Sequence, residues 1–462
     1  MSSLLRGALA LSLLGAASGA AAFAHAELFP AEGLVARGVR IGGVTVAVGE
    51  RPRAAAEAAA RRALERRVTL THAGAPLFDA TVGELGGVVD IDALTRSAEA
   101  IGRRGDLFAR LDDVLEARRG AVDLPVRVTL PGEPMAARLA RIKDERDTAP
   151  VSARLDVAKH TASAHAAGRY LDVFGAVEAV AAAIGGDATQ IPVPTFEIAP
   201  RASSEVVAAL DVGQVIARFE TRFGYLAEQA GRAQNIQRAA AQIEGVVLMP
   251  GEVVSFNHNV GPRSVDNGFA EAPEIYKGEM REGIGGGTCQ VSGTLHAAAY
   301  LAGVDIVERA NHSRPSGYIR MGLDATVVYP TVDLKLKNPY DFPIVVHGTI
   351  DRGSLVFELL GARRPATVSF ATETVGTAPF KRKIEETHAL AEGAVRLKQK
   401  GIRGYSVKKT RVIHLEGGPD RIEVTTDVYP PTFEIYQVAP GTDVDTALPP
   451  LADGRQATNE IR

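Results

Sequence analysis

The sequence predicts a multidomain α+β protein. It is expected to hold two small α+β modules, a larger α+β domain with a helix starting at a cysteine, and a C-terminal β-rich module. Three observations carry this expectation. The length, 462 residues, allows about two to four domains of roughly 100–200 residues each. A strand, helix, strand texture recurs within residues 32–208. Beyond residue 243 the texture changes to glycine-rich loops with short strands and one helix, and then to strands.

The elements follow in order. Arg6 precedes an apolar run from Ala8 to Ala24, and Ala24-His25-Ala26 fits a small-x-small cleavage pattern. Residues 1–26 therefore have the composition of a secretory signal peptide. An uncleaved N-terminal anchor is the alternative, with membrane association through residues 7–24. The run is near the lower length limit for a span, and Gly15 and Gly19 weaken it. Either way the bulk of the chain is expected outside the cytoplasm, in the periplasm or at the cell surface.

Residues 32–130 are expected to form the first module. Gly38 to Val46 is strand-like, and the alanine-rich stretch Ala54 to Arg67 has no helix breaker. Val68 to Phe78 reads as strands about an Ala73-Gly74 turn, and Asp90 to Arg103 as a helix. Residues 131–208 are the second module, with a strand at Ala153 to Val157, a helix at Phe174 to Ile184 and a strand at Gln190 to Ile198. Residues 209–350 form the central domain. Val215, Ile216, Phe219, Phe223 and Leu226 recur at helical spacing, which predicts a helix over 211–240. Residues 351–438 are strand-rich, with turns at Gly401 to Gly404 and Gly417 to Pro419. The polar, proline-bearing tail 439–462 is expected to be disordered.

Composition narrows function. Hydrophobic residues make up 46% and charged residues 23%, the balance of a globular chain. A net charge of -3 gives no reason to expect nucleic acid as a partner. Trp is absent, so stacking platforms would need the few Tyr and Phe.

The chain has one cysteine, Cys289, in Gly285-Gly286-Gly287-Thr288-Cys289-Gln290. In an exported chain it has no internal disulfide partner. Val291 to Ala302 reads as a helix with Val291, Leu295, Ala298 and Ala302 as its apolar stripe, Thr288 as N-cap, and Gly303 ending it in a left-handed conformation. Cys289 would then face unpaired N–H groups and the positive end of the helix dipole, both of which favour thiolate.

A thiol nucleophile needs a base. His296 lies about two turns, or ~10 Å, along the same helix, too far for contact. His312 follows the strand-like Val304 to Val307, so the chain can turn back toward the cysteine. Asp324 could orient the imidazole, with Asp333 in reserve. The opposing reading makes Cys289 a small buried hydrophobe and His312 a turn residue. A metal site of Cys289 with His258, His312 or His347 has no short ligand pair to fix it, so neither metal nor cofactor is expected. Six residues are candidates for substrate binding. Gly286 and Gly287 allow close backbone approach, Gln290 is placed for an oxyanion, and Arg263 is suited to a carboxylate. Asn257, in the same turn-rich loop as Arg263, and Ser292 complete the set.

These residues belong to a longer pattern. Asn235-Ile236-Gln237, Leu248 to Glu252, Ser255-Phe256-Asn257, Val260 to Arg263 and Gly285 to Ser292 resemble the VanW family. So do His312 to Pro315, Gly322 to Val327 and Asp333 to Asn338. Gly293 departs from the second Ser or Thr usual in that family. Residues 131–208 resemble the YoaR-like peptidoglycan-binding modules that often precede such domains. Residues 370–438 resemble a G5-like β module. The resemblance implies a cell-envelope protein that binds peptidoglycan or wall peptide and is linked to glycopeptide-resistance gene clusters. It leaves the reaction open. A thiol peptidase or transpeptidase using Cys289, His312 and Asp324 stands beside a non-catalytic, wall-binding accessory protein.

Overall fold

A computed structural model describes residues 29–276 and 278–450. The expected signal peptide or anchor lies outside the described residues. The chain divides into two compact units, Met1–Pro150 with Ala167–Ala199, and Val151–Ala166 with Pro200–Arg462. Both mix helices and strands, and the fold is the α+β multidomain architecture the sequence predicts.

In the first unit, α1 (Arg53–Glu65) precedes a hairpin of β1 (Arg67–His72) and β2 (Ala75–Thr81). Helices α2 (Ile91–Ala100), α3 (Leu107–Arg118) and α4 (Glu133–Arg146) follow, then β3 (Gly168–Leu171), α5 (Val173–Ile184), β4 (Gln190–Pro192) and β5 (Thr195–Ile198). Side-chain caps set two of the helix starts: Asp90 accepts from the Ala93 N–H and Asp172 from the Gly175 N–H. The expected boundary at 130/131 is not observed. β1 pairs in parallel with β4, placing Leu70 beside Ile191. Val68, Leu70, Met135, Leu139, Val180 and Ile191 then share one core. A second core gathers Val39, Ile41, Ala56, Leu94 and Val114. The two cores interleave along the chain, so no single cut separates them.

The second unit opens with a further difference. Gln214–Arg222 is a strand, β6, and the helix begins only at α6 (Ala230–Ile243). The apolar residues of Gln214–Arg222 fit both periods. A bulge between Val215 and Ala217 buries Ile216 and Ala217 together, which the sequence spacing mimics as a helical step. Next come β7 (Val247–Leu248), β8 (Val253–Ser255), α7 (Phe256–Val260), the hairpin β9 (Glu271–Tyr276) and β10 (Glu279–Ile284), and α8 (Thr288–Leu301). β11 (Asp305–Glu308), β12 (Lys335–Lys337), β13 (Ile344–Asp351) and β14 (Ser354–Gly361) complete this part. The sheet runs β6-β14-β13-β7. α8 packs on β6, β14 and α6, and its expected stripe of Val291, Leu295, Ala298 and Ala302 enters the main core with Ile236 and Phe357. The expected boundary at 350/351 falls inside the β13–β14 hairpin, whose second strand β6 needs as its partner.

The C-terminal part is β-rich. β15 (Ala366–Ala378), β18 (Gly404–Leu415) and β19 (Arg421–Tyr429) form one antiparallel sheet. β16 (Arg382–Glu386), β17 (Val395–Gln399) and β20 (Glu434–Val438) form another. The described part of the expected disordered tail is structured. α9 (Val444–Ala447) leads to Leu448, which is buried against Ile384, Tyr436 and Val438. Among the described residues no helix is long and apolar enough to cross a membrane.

Candidate active site

The glycine run works through close contact. A Cβ on Gly286 would lie 2.5 Å from the Ala272 carbonyl oxygen and 2.6 Å from that of Pro273. Gly287 has φ +106°, and a Cβ there would crowd Arg232 and Ile236 of α6. The left-handed Gly287 is itself the N-cap of α8. Thr288, the expected cap, is the first helical residue and donates its hydroxyl to the Gly285 carbonyl at 2.7 Å. Gly303 ends the helix region with φ +78°, as expected.

Cys289 therefore occupies the first turn of α8. It is half-buried on the floor of a cavity of about 600 Å³. Its backbone N–H has no hydrogen-bond partner among the described residues. The thiol lies 3.6 Å from the Val327 carbonyl oxygen, and it shares the cavity lining with His312, whose charge bears on it.

His312 reaches it by a local fold-back. β11 leads to Ala310, whose carbonyl accepts from the Thr326 N–H at 2.8 Å, so segments 310–312 and 324–326 run side by side. His312 Nδ1 lies 2.8 Å from Asp324 Oδ2, which also accepts from the His312 backbone N–H at 2.8 Å. The carboxylate fixes the Nδ1–H tautomer and leaves Nε2 for the thiol. Tyr318 packs edge-on to the imidazole and donates its hydroxyl to the Cys289 carbonyl at 3.1 Å. The three residues picked out in the sequence thus come together, His312 hydrogen-bonded to Asp324 and lining the same cavity as the thiol.

Sequence reasoning missed what holds Asp324. Its Oδ1 accepts from Arg309 Nη2 at 2.9 Å and from the Tyr429 hydroxyl at 2.6 Å. Arg309 in turn pairs with Asp427 at 2.6 Å. Tyr429 and Asp427 are in β19, more than 100 residues further along the chain, in the stretch expected to be a separate module. Only Arg309 had a local signal, being three residues before His312.

The charges follow from this geometry. Burial raises the carboxyl of Asp324, but His312 and Arg309 outweigh it and hold the group well below the usual carboxylate range. Burial lowers the imidazole of His312, but Asp324 and Cys289 outweigh it and raise the group to about 9. Burial raises the thiol; His312 first, and then Arg263, overcome this and bring it below its ordinary value. The arrangement favours a thiolate beside an imidazolium.

The other expected residues divide. Arg263, Gly286 and Gly287 line the cavity. Gln290 does so too, but its amide is committed: Nε2 donates to Thr221 and the Arg222 carbonyl, and Oε1 accepts from Arg232. It cannot serve the oxyanion. Ser292 is fully buried and donates to the Ala325 carbonyl at 2.8 Å, tying α8 to the Asp324 segment. Asn257 is buried and accepts from Arg263 Nη2 at 2.8 Å, so it positions that arginine and does not meet a ligand. His296 is buried, with Nδ1 2.7 Å from the Leu323 carbonyl oxygen; burial first, then Arg309, keeps it neutral with a pKa of about 3. Its place is to pin the same segment from behind. Asp333 accepts from the Asn257 and Leu334 N–H groups and the Ser255 hydroxyl, away from the thiol.

Comparison with known proteins agrees with the motif pattern. Residues 231–360 match the family model for VanW like protein, and residues 78–191 match that for a putative peptidoglycan binding domain. The chain is 38% identical over 175 residues to the uncharacterized protein YoaR of Bacillus subtilis, covering 38% of this chain and 57% of that one. It is 25% identical over 142 residues to the vancomycin B-type resistance protein VanW of Enterococcus faecalis, covering 30% of this chain and 52% of that one. The chain thus spans about half the length of the curated relatives it matches. The IgA1 protease G5 domain structure is similar over 17% of this chain and 96% of that one, with 27% identity and a TM-score of 0.12.

Proposed function

We propose that this chain, which carries a VanW-like domain over residues 231–360 and a match to a putative peptidoglycan binding domain over 78–191, is an exported cell-wall protein that transfers acyl groups of wall peptides through Cys289. The observation that carries the reading is the buried His312–Asp324 pair set beside a half-buried Cys289 that opens onto a cavity. Export rests on the composition of residues 1–26. Wall association is supported by both matched families.

The chemistry follows residue by residue. The Cys289 thiolate attacks a peptide carbonyl. The unpaired Cys289 N–H at the helix start faces the developing oxyanion, in a field already positive from the helix dipole. His312 gives its Nε2 proton to the departing amine. Asp324 keeps the imidazole in the productive tautomer and favours its charged form. Water as acceptor makes the reaction a hydrolysis, and an amine makes it a transpeptidation.

The test is a muropeptide profile. Purified sacculi are incubated with the wild-type chain and with Cys289→Ala, then digested and separated. The expected result is a changed cross-link or stem-peptide pattern with the wild type alone, while both proteins co-sediment with the wall. Co-sedimentation with no wild-type change in wall chemistry would reduce the protein to a binding accessory.

A further inference from the structure

The cavity over Cys289 holds more positive charge than its own residues neutralise. Arg232, Arg263 and Arg314 all line it. None has a carboxylate within ion-pair distance among the described residues. Arg232 gives one N–H to Gln290, and Arg263 gives two, to the Gly261 carbonyl and to Asn257. Each guanidinium has five donors, so both retain free ones. Arg314 makes no hydrogen bond among the described residues, and its Nε is buried without a partner. Among the described lining residues the one carboxylate, Glu274, is held by Arg281 at 2.7 Å. Asp324 lies behind His312 and is filled by Arg309 and Tyr429.

A half-buried guanidinium without an acid is only partly compensated by water, and its planar fork matches a carboxylate better than any other common anion except phosphate. Arg263 also sits close enough to Cys289 to stabilise the thiolate. In a peptide the terminal carboxylate lies within roughly 4 Å of the carbonyl that precedes it, one Cα-to-Cα step. Arg263 and Cys289 line the same cavity, so a carboxylate on Arg263 would bring the last peptide bond toward the sulfur.

Resting on the acyl-transfer reading of this site, we propose that the acyl donor is a peptide end: the residue that leaves carries a free α-carboxylate, held by Arg263 and Arg314 with Arg232 beside them. The thiolate forms a bond to the last peptide carbonyl carbon, whose electron pair moves to oxygen. Its return breaks the C–N bond, and the imidazolium proton goes to the departing nitrogen. The terminal amino acid leaves with its carboxylate, and a thioester and neutral imidazole remain. An amine or water then attacks the thioester, gives its proton to His312 and releases the thiolate. The site thus works at chain ends and trims or exchanges a terminal residue.

The test uses the full chain and one N-acetylated wall-type stem peptide ending in D-alanine, made with a free carboxylate and with a carboxamide. Intact mass reads acylation of Cys289, and calorimetry reads binding to Cys289→Ala. The carboxylate form is expected to acylate faster. Arg314→Gln should slow it about 10–100-fold, the loss of one charge-assisted contact, and slow the carboxamide form far less; Arg263→Gln, which also removes a cation beside the thiolate, should slow both forms and the carboxylate form more. Arg314→Gln disturbs no hydrogen bond among the described residues and serves if Arg263→Gln fails to fold. Equal acylation by both forms would overturn the carboxylate proposal and leave acyl transfer standing. If neither form acylates, acyl transfer fails with this peptide and binding decides the rest. Tighter binding of the carboxylate form, lost in Arg314→Gln, supports the arginine site; equal or absent binding of the two forms contradicts it.

Discussion

At the scale of single residues, Cys289 and His312 act as one titrating pair. The thiol is lowered and the imidazole raised to about 9, so the thiolate–imidazolium form persists between those two values. Below the thiol value the nucleophile is protonated; above about 9 the imidazolium loses the proton it must donate. Turnover should therefore fall on both sides, and alkylation by iodoacetamide only on the acid side. The alkylation midpoint is expected below the ~8.5 of a free cysteine, and His312→Ala should return it to that range. An unchanged midpoint in the variant would remove His312 from the pair. Gly286 makes a different prediction. Gly286→Ala forces a methyl group against two carbonyl oxygens at 2.5 and 2.6 Å. It should destabilise the fold by ~1–3 kcal/mol, read by thermal denaturation.

At the scale of elements, the C-terminal sheet is part of the site. Tyr429 of β19 donates to Asp324, and Asp427 pairs with Arg309, which grips the same carboxylate. Tyr429→Phe removes the hydrogen bond to the Asp324 carboxylate, worth ~1.5–3 kcal/mol, and the one its hydroxyl accepts from the Gly322 N–H. It should loosen Asp324, lower the imidazole and raise the midpoint of the alkylation curve while the fold survives. A midpoint identical to wild type would make Tyr429 a packing residue only. This contact also marks where the sequence stops being legible. The helix at Cys289, its stripe and Gly303 could be read because they depend on neighbours in the chain. The His312–Asp324 pair could be placed because both lie in one short fold-back. Tyr429 could not, since nothing in Val428-Tyr429-Pro430 marks a partner 105 residues away. Gln290 misled for the related reason that its direction is set by Thr221 and Arg232 on other elements. Gln214–Arg222 misled because a bulge buries two successive residues and imitates helical spacing.

At the scale of the whole molecule, the proposed wall binding and the proposed acyl transfer fall on different parts of the sequence. The peptidoglycan-binding match covers 78–191, while the Cys289 pair lies within 231–360. The two functions should therefore separate by substitution. Cys289→Ala is expected to co-sediment with sacculi as the wild type does and to lose all turnover. The recurring strand–helix–strand texture does not disclose the interleaved cores within residues 29–199, because Leu70 meets Ile191 through a parallel pairing that no local pattern reveals. The central claim, that Cys289 carries an acyl group, has one direct measurement. The intact mass of the full chain is recorded after brief incubation with wall-derived stem peptides at neutral pH. The account predicts a mass increase equal to the peptide less its leaving group, mapped to Cys289, discharged by hydroxylamine and absent from Cys289→Ala. An unmodified wild-type chain across a set of such peptides, or the same increase in Cys289→Ala, would contradict it.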